Sequence, residues 1–262
     1  VRPEGRTVVA LTGTDLYRDL PAGDPRARRS LEAADLLVGL HPGVAAGLPE
    51  EVRPRLRVIL QSVELPPGLA PTWQPPAEDE PFQVAVAGHL RAVKDPFRTA
   101  LALQSLPQEP PVRVQHLGAA LEPGTAEEAR RLETVEPRYR WLGERPRQEA
   151  LAVLARSHLV VVSSRMEGGP NVLSEALALE VPVLATDVPG CTGLLGPDHP
   201  GLFPPEDTAA LARLLRRART DPSFHEALHL RSRELAHRFR PEQERAAWKR
   251  LLAELPGIGP RD

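Results

Sequence analysis

Short apolar runs alternate with segments whose apolar positions recur at helical spacing. Residues 7–11 (TVVAL), 35–40 (DLLVGL) and 57–61 (RVILQ) read as strands, with a helix over 25–34 between the first two. The pattern lapses from residue 65 to 81, which holds six prolines and no strand or helix period. Proline fixes φ and cannot donate to a sheet ladder, so this segment predicts a connector. A second series follows: strands over 82–87 (FQVAVA), 112–117, 138–142 (RYRWL), 158–163 (HLVVVS) and 182–185 (PVLA). Helices over 95–105, 125–135, 146–156 and 170–180 fall between and after them. Beyond Phe203 the chain is helical, over 206–219, 222–238 and 241–255.

Alternating strands and helices with near-continuous apolar strands predict an α/β fold whose parallel sheets are covered on both faces. Two series joined by a proline-rich connector predict two lobes with a cleft between them. In open α/β sheets ligands sit beyond the carboxyl ends of the strands, so the loops after strands are where chemistry is expected.

Composition narrows the classes. The chain has 262 residues, 41% hydrophobic and 26% charged, a globular balance. Its net charge of −2 argues against nucleic-acid binding by bulk charge. One cysteine, Cys191, excludes a disulfide framework or a cysteine-rich metal site and suits the cytoplasm. Arg156, His158 and Glu180 interrupt the longest apolar stretches, so no membrane insertion is expected. His41, His116, His199 and His225 are scattered, which predicts no metal site. Thirty-one of the 33 basic residues are arginine, leaving only Lys94 and Lys249 as lysine. An ammonium and a guanidinium are not interchangeable where one charge must meet one oxygen, so a retained lysine is informative.

Two loops carry the candidate chemistry. Residues 163–176 (SSRMEGGPNVLSEA) run from a strand end through Gly168-Gly169 into a helix opened by Pro170. Glycines admit a ligand close to the backbone, and a helix N-terminus offers free N–H groups to an anion. Glu167 precedes that helix and Glu175 lies in its second turn, so the two acids flank the anion site. The same residues also describe an ordinary strand–helix turn with one capping and one solvated glutamate. Residues 88–96 (GHLRAVKDP) again lie between a strand and a helix. Arg91, Lys94 and His89 could converge on a phosphate there, or simply form a basic surface loop. Together the loops describe a diphosphate clamp, with the carboxylates free to accept from ribose or sugar hydroxyls. Trp141-Leu142-Gly143 ends a strand and either presents backbone groups to a base or packs a core tryptophan.

Residues 138–190 resemble the donor-nucleotide lobe of GT-B glycosyltransferases, in particular glycosyltransferase family 4. That family's E-x7-E is matched by Glu167 and Glu175, in the context S-x-x-E-G through E-A-x-A, and its G-R-L-x-x-x-K by Gly88, Leu90 and Lys94. His89 stands at the family's arginine position, with Arg91 two residues on. Residues 11–20 (LTGTDLYRDL), 59–62 (ILQS), 88–96, 193–196 and 200–203 further resemble the selenosugar synthases of selenoneine biosynthesis.

These resemblances imply a GT-B-like fold of two Rossmann-like lobes with the N-lobe incomplete. Its expected parts are an acceptor lobe over 1–64, a linker over 65–81, a donor lobe over 82–240, and a C-terminal helix over 241–262 that braces the N-lobe. The implied activity is transfer of a sugar from a UDP-sugar, such as UDP-N-acetylglucosamine or UDP-glucose, to selenophosphate, without a metal or other cofactor. Lys94 and Glu167 take the catalytic roles. Gly88, His89, Arg91, Lys94, Leu142, Gly168, Gly169, Asn171, Val172, Leu173 and Glu175 bind the donor, and Gly13, Thr14, Asp15 and Arg18 bind the acceptor. The alternatives are a hydroxyl acceptor, a nucleotide-sugar epimerase on the same fold, and an inactive fragment that binds nucleotide sugar. The chain begins at Val1, and the resemblance implies a longer protein whose first strand–helix units are missing here.

Overall fold

Two parallel sheets organise the chain. The computed structural model describes residues 5–77, 80–109 and 111–255. The outer ends of the expected segments, at 1–4 and 256–262, and positions 78–79 of the linker lie outside the described residues.

The first sheet holds β1 (Val8–Leu11), β2 (Leu36–Gly39) and β3 (Leu56–Val58), all parallel in that order. Helix α1 (Pro25–Ala33) crosses from β1 to β2. It starts at Asp24, whose carboxylate accepts from the N–H groups of Arg26 and Ala27, with Pro25 in the first helical turn.

The second sheet has six parallel strands: β4 (Phe82–Ala87), β5 (Val112–Leu117), β6 (Tyr139–Gly143), β7 (Leu159–Val162), β8 (Val183–Thr186) and β9 (Leu202–Phe203). Their order is β6-β5-β4-β7-β8-β9. The chain therefore winds outward one way from β4 and then the other way from β7. This reversal opens a crevice at the carboxyl ends of β4 and β7, the general ligand position in doubly wound sheets.

Helices α2 (Arg98–Leu103), α3 (Thr125–Val135), α4 (Arg147–Ala155), α5 (Asn171–Ala178), α6 (Pro189–Leu195), α7 (Thr208–Thr220) and α8 (Pro222–Ala236) accompany this sheet. Alternate residues of one strand serve opposite faces. Leu159 and Val161 pack with α7 residues Leu211 and Leu215, while Val160 and Val162 pack with α5 residues Leu173 and Leu177. The near-continuous apolar strands thus reflect burial on both sides.

The last helix, α9 (Pro241–Ala253), returns to the first sheet. Leu251 and Leu255 pack on Leu36, Val38 and Ile59, and Arg57 makes a bidentate pair with Glu254. At the crossover, the Glu244 carboxylate accepts from the N–H and hydroxyl of Ser62 at 2.8 and 2.6 Å.

Several boundaries differ from the sequence pattern. The strand expected over 57–61 spans Leu56–Val58; Ile59 makes the last bond to the sheet, its N–H donating to the Gly39 carbonyl at 3.0 Å, and its side chain packs with Leu251. The helix expected from 95 begins at Arg98: Asp95 sits at φ 45° and precedes Pro96, which disfavours a helical residue before it. Pro170 is the N-cap rather than the first helical residue, at φ −70° and ψ 121°. Residues 15–19 coil into a π-helical turn that hydrophobic period does not reveal. Helix α6 carries Pro189, Gly190 and Gly193, a composition that hides a helix, and β9 is two residues long.

Candidate functional site

The loop after β4 and the loop after β7 form the crevice. Gly88 donates its N–H to Leu117 and accepts from His116 Nε2 at 3.1 Å. His116 is fully buried, and its Nδ1 meets the Tyr139 hydroxyl at 2.8 Å. Donation from Nε2 leaves Nδ1 to accept from tyrosine, so one neutral tautomer satisfies both contacts. Burial drives the His116 pKa down to about 4, against the bond to Gly88. The loop continues through a single 3-10 turn, Ala92–Lys94. Two bonds stitch it to the β7 loop: Ser163 Oγ donates to the Asp95 carbonyl at 2.9 Å, and the Arg165 N–H donates to the Val93 carbonyl at 2.9 Å.

This stitching delivers Lys94 to Glu167. Their Nζ–Oε1 distance is 2.6 Å, with Glu167 7% exposed. The Ser164 hydroxyl donates to the same oxygen at 2.6 Å. Lys94, Glu167, Gly88 and Val172 line one small cavity with Ser163, Ser164 and His116. Leu142, Asn171 and Glu175 are not part of that lining. Helix α5 starts beside the cavity without a side-chain cap, so the N–H groups of its first turn, at Asn171 and Val172, have no capping side chain. Leu173 is fully buried in the core.

Glu175 lies further along α5 and pairs with Arg147 at 3.5 Å. Burial raises its pKa, and Arg147 opposes that shift. Arg147 also donates to the Glu64 carbonyl at 3.0 Å, which ties the chain just ahead of the connector to this carboxylate. Trp141 donates its indole N–H to the Gly118 carbonyl at 2.9 Å, leaving Leu142 half-buried at the strand end. His89 does not combine with Lys94, because its Nδ1 accepts from the Ala119 N–H at 3.0 Å. Arg91 is exposed on the rim. Arg165 pairs with Glu206 at 3.0 Å.

The first lobe meets this site through glycines. A Cβ on Gly13 would stand 2.7 Å from the Gly168 nitrogen, and one on Gly168 would overlap the Gly13 backbone. Gly169, at φ 137°, lies under Leu40. The loop residues Gly13, Thr14 and Asp15 therefore begin directly beside Glu167. Asp15 is engaged locally, accepting from the N–H and hydroxyl of Thr12 at 2.8 and 2.7 Å. Arg18 points outward and pairs with Asp19 at 2.8 Å.

Residue reasoning missed three participants. Ser164 stands inside the quoted motif but carries no spacing signal of its own. His41 and Tyr17 meet at 2.8 Å in the seam between the lobes. Burial pushes the Tyr17 pKa up to about 12 and the His41 pKa below its usual value. Among the described residues no cluster of three histidine, cysteine, aspartate or glutamate side chains could hold a metal ion. No described helix is long and apolar enough to cross a membrane.

Residues 72–237 match the family model of the glycosyl transferases group 1, and the chain belongs to that family. It is 34% identical over 139 residues to glycosyltransferase 1 domain-containing protein 1 of Xenopus tropicalis, which covers 52% of this chain and 39% of that protein. The chain therefore spans about two fifths of that relative's length. In fold it is similar to Anabaena HepE, solved in complex with UDP and glucose: TM-score 0.75 at 19% identity, over 95% of this chain and 72% of that one. It is also similar to a sucrose-phosphate synthase of Thermosynechococcus elongatus: TM-score 0.71 at 24% identity, over 97% and 70%. These neighbours establish the GT-B glycosyltransferase fold with parallel sheets.

Proposed function

We propose that this chain carries the donor half of a glycosyltransferase that moves a sugar from a UDP-sugar to selenophosphate. The observation that carries the reading is the Lys94–Glu167 pair in the switch-point crevice, beside the uncapped start of α5. The ammonium and the helix N–H groups are suited to the two phosphates, whose charge grows as the sugar–phosphate bond breaks. Glu175, held in register by α5, accepts from the ribose hydroxyls. Glu167 faces the transferred sugar, and the Gly13–Asp15 loop brings the acceptor to the same point. The selenophosphate assignment rests on the resemblance of residues 11–20 and 88–96 to selenosugar synthases. The HepE complex supports UDP as the carrier for a protein of this fold. In this reading residues 1–64 form the acceptor side and 82–240 the donor side of the reaction.

Calorimetry with UDP and UDP-glucose, and an assay of selenophosphate-dependent UDP release, test the proposal. Glu175→Gln weakens binding of UDP itself. Glu167→Gln leaves UDP affinity intact and lowers turnover, because a contact strengthened in the transition state acts on kcat. Equal loss of UDP affinity in both variants with turnover untouched would assign Glu167 to the nucleotide pocket. UDP release driven by a sugar hydroxyl and not by selenophosphate would replace the acceptor and keep the donor.

A further inference from the structure

We infer that Ser164 is a positioning residue: it holds Glu167 toward the donor sugar and remains its partner when Lys94 turns to the diphosphate. The inference rests on the donor-site reading above. Ser164 Oγ and Lys94 Nζ both donate to Oε1 of Glu167, each at 2.6 Å. Among the described residues Oε2 has no hydrogen-bond partner, so the carboxylate presents one oxygen for a ligand.

The two donors differ in how firmly they are held. Ser164 is 3% exposed, and its carbonyl accepts from the Thr186 hydroxyl at 2.6 Å. Thr186 is fully buried at the end of β8, so the serine is anchored to two strands of the sheet. Lys94 ends a one-turn segment and keeps about a third of its side chain in solvent. A diphosphate carries more charge than one carboxylate and competes for that partly exposed ammonium. Once Lys94 turns, the serine hydroxyl is the remaining side-chain donor among the described residues that fixes the rotation of the carboxylate. Without it, Oε2 no longer has a set direction, and the sugar loses its acceptor while the nucleotide keeps its own contacts.

The test compares UDP with UDP-glucose and UDP-N-acetylglucosamine by calorimetry on the wild-type chain, Ser164→Ala and Ser164→Thr. The quantity read is the gain in affinity that the sugar adds over UDP. In Ser164→Ala we expect UDP affinity unchanged and the sugar gain reduced about tenfold, the lower end of what one hydrogen bond to a charged group contributes. Ser164→Thr, which keeps the hydroxyl, restores the gain. Ser164→Cys keeps the volume with a much weaker donor and replaces the alanine variant if that variant does not fold. A sugar gain unchanged in Ser164→Ala or Ser164→Cys overturns the inference. So does a parallel loss of UDP and UDP-sugar affinity with a lowered melting temperature, which marks a merely structural serine. A wild-type chain that binds UDP but gains nothing from either sugar also overturns it, while the nucleotide site stands. A wild-type chain that binds no UDP rejects the donor-site reading itself.

Discussion

Lys94 and Glu167 meet at 2.6 Å although they lie 73 residues apart in the chain. The lysine stood out in the sequence because arginine fills nearly every other basic position. Its partner could not be read there, since their meeting depends on β4 and β7 being neighbours. At this site a compact ammonium reaches one carboxylate oxygen, which a planar guanidinium fork would meet differently. Lys94→Ala is expected to weaken UDP binding by about 1–3 kcal/mol, the worth of a charge-assisted contact. Lys94→Arg is expected to recover only part of it. Calorimetry on both variants checks this, and an alanine variant with wild-type UDP affinity removes Lys94 from the proposed diphosphate site.

Helix α6 shows how an element can be shaped by what it packs against. Its glycines look like helix breakers, yet each stands where another part of the chain comes within contact. A Cβ at Gly193 would run into the His41 ring, and one at Gly190 into the Glu167 carbonyl. The His41 imidazole thus seats the first lobe in a notch of the second. Gly193→Ala is expected to destabilise the fold by about 1–3 kcal/mol through overpacking. Combined with His41→Ala it should cost less than the two changes summed, because the ring that met the methyl is gone. Gly190→Ala meets backbone, so His41→Ala should give it no relief. Urea denaturation of the five variants measures the coupling, and strict additivity for Gly193 and His41 contradicts the notch.

On the scale of the whole molecule, α9 joins the end of the chain to its first sheet. Leu251 is 1% exposed against Leu36, Val38 and Ile59. Leu251→Ala should therefore cost about 2–5 kcal/mol in urea denaturation, as a deletion within a filled core. A cost below 1 kcal/mol would mean that α9 lies on the sheet without bracing it. Stability should also depend on pH through buried imidazoles: burial lowers the pKa values of His41 and His158, and three others are shifted furthest. Burial lowers the pKa values of His116, His199 and His225 to about 4. The unfolded chain binds their protons first, near its ordinary pKa of about 6.5. Their contribution is thus complete above about pH 6.5 and is lost as pH falls toward 4. Each titrating imidazole adds a slope of up to about 1.4 kcal/mol per pH unit. A urea midpoint that stays level from pH 6.5 to 4.5 would show that these rings take up protons in the fold as readily as in the unfolded chain.

Hydrophobic period alone determined the α/β class, the parallel sheets and the loops that form the candidate site. Burial on both faces of a parallel strand leaves an apolar run that a single strand records, as in 82–87 and 158–163. The glutamates and Gly168-Gly169 were legible because they follow a strand and enter a helix within a few residues. The tertiary structure decided the rest. Strand order, with β4 beside β7, is a pairing between distant segments, and no local pattern encodes it. The seating of Gly13 on Gly168 and of His41 on Gly193 depends on how two lobes approach, which periodicity within either lobe does not contain. Ser164 lies three residues from Glu167, yet its hydroxyl takes a partner only once the loop is bent and Thr186 holds its carbonyl. Local spacing writes the elements, and long-range contact chooses which atoms of their loops meet.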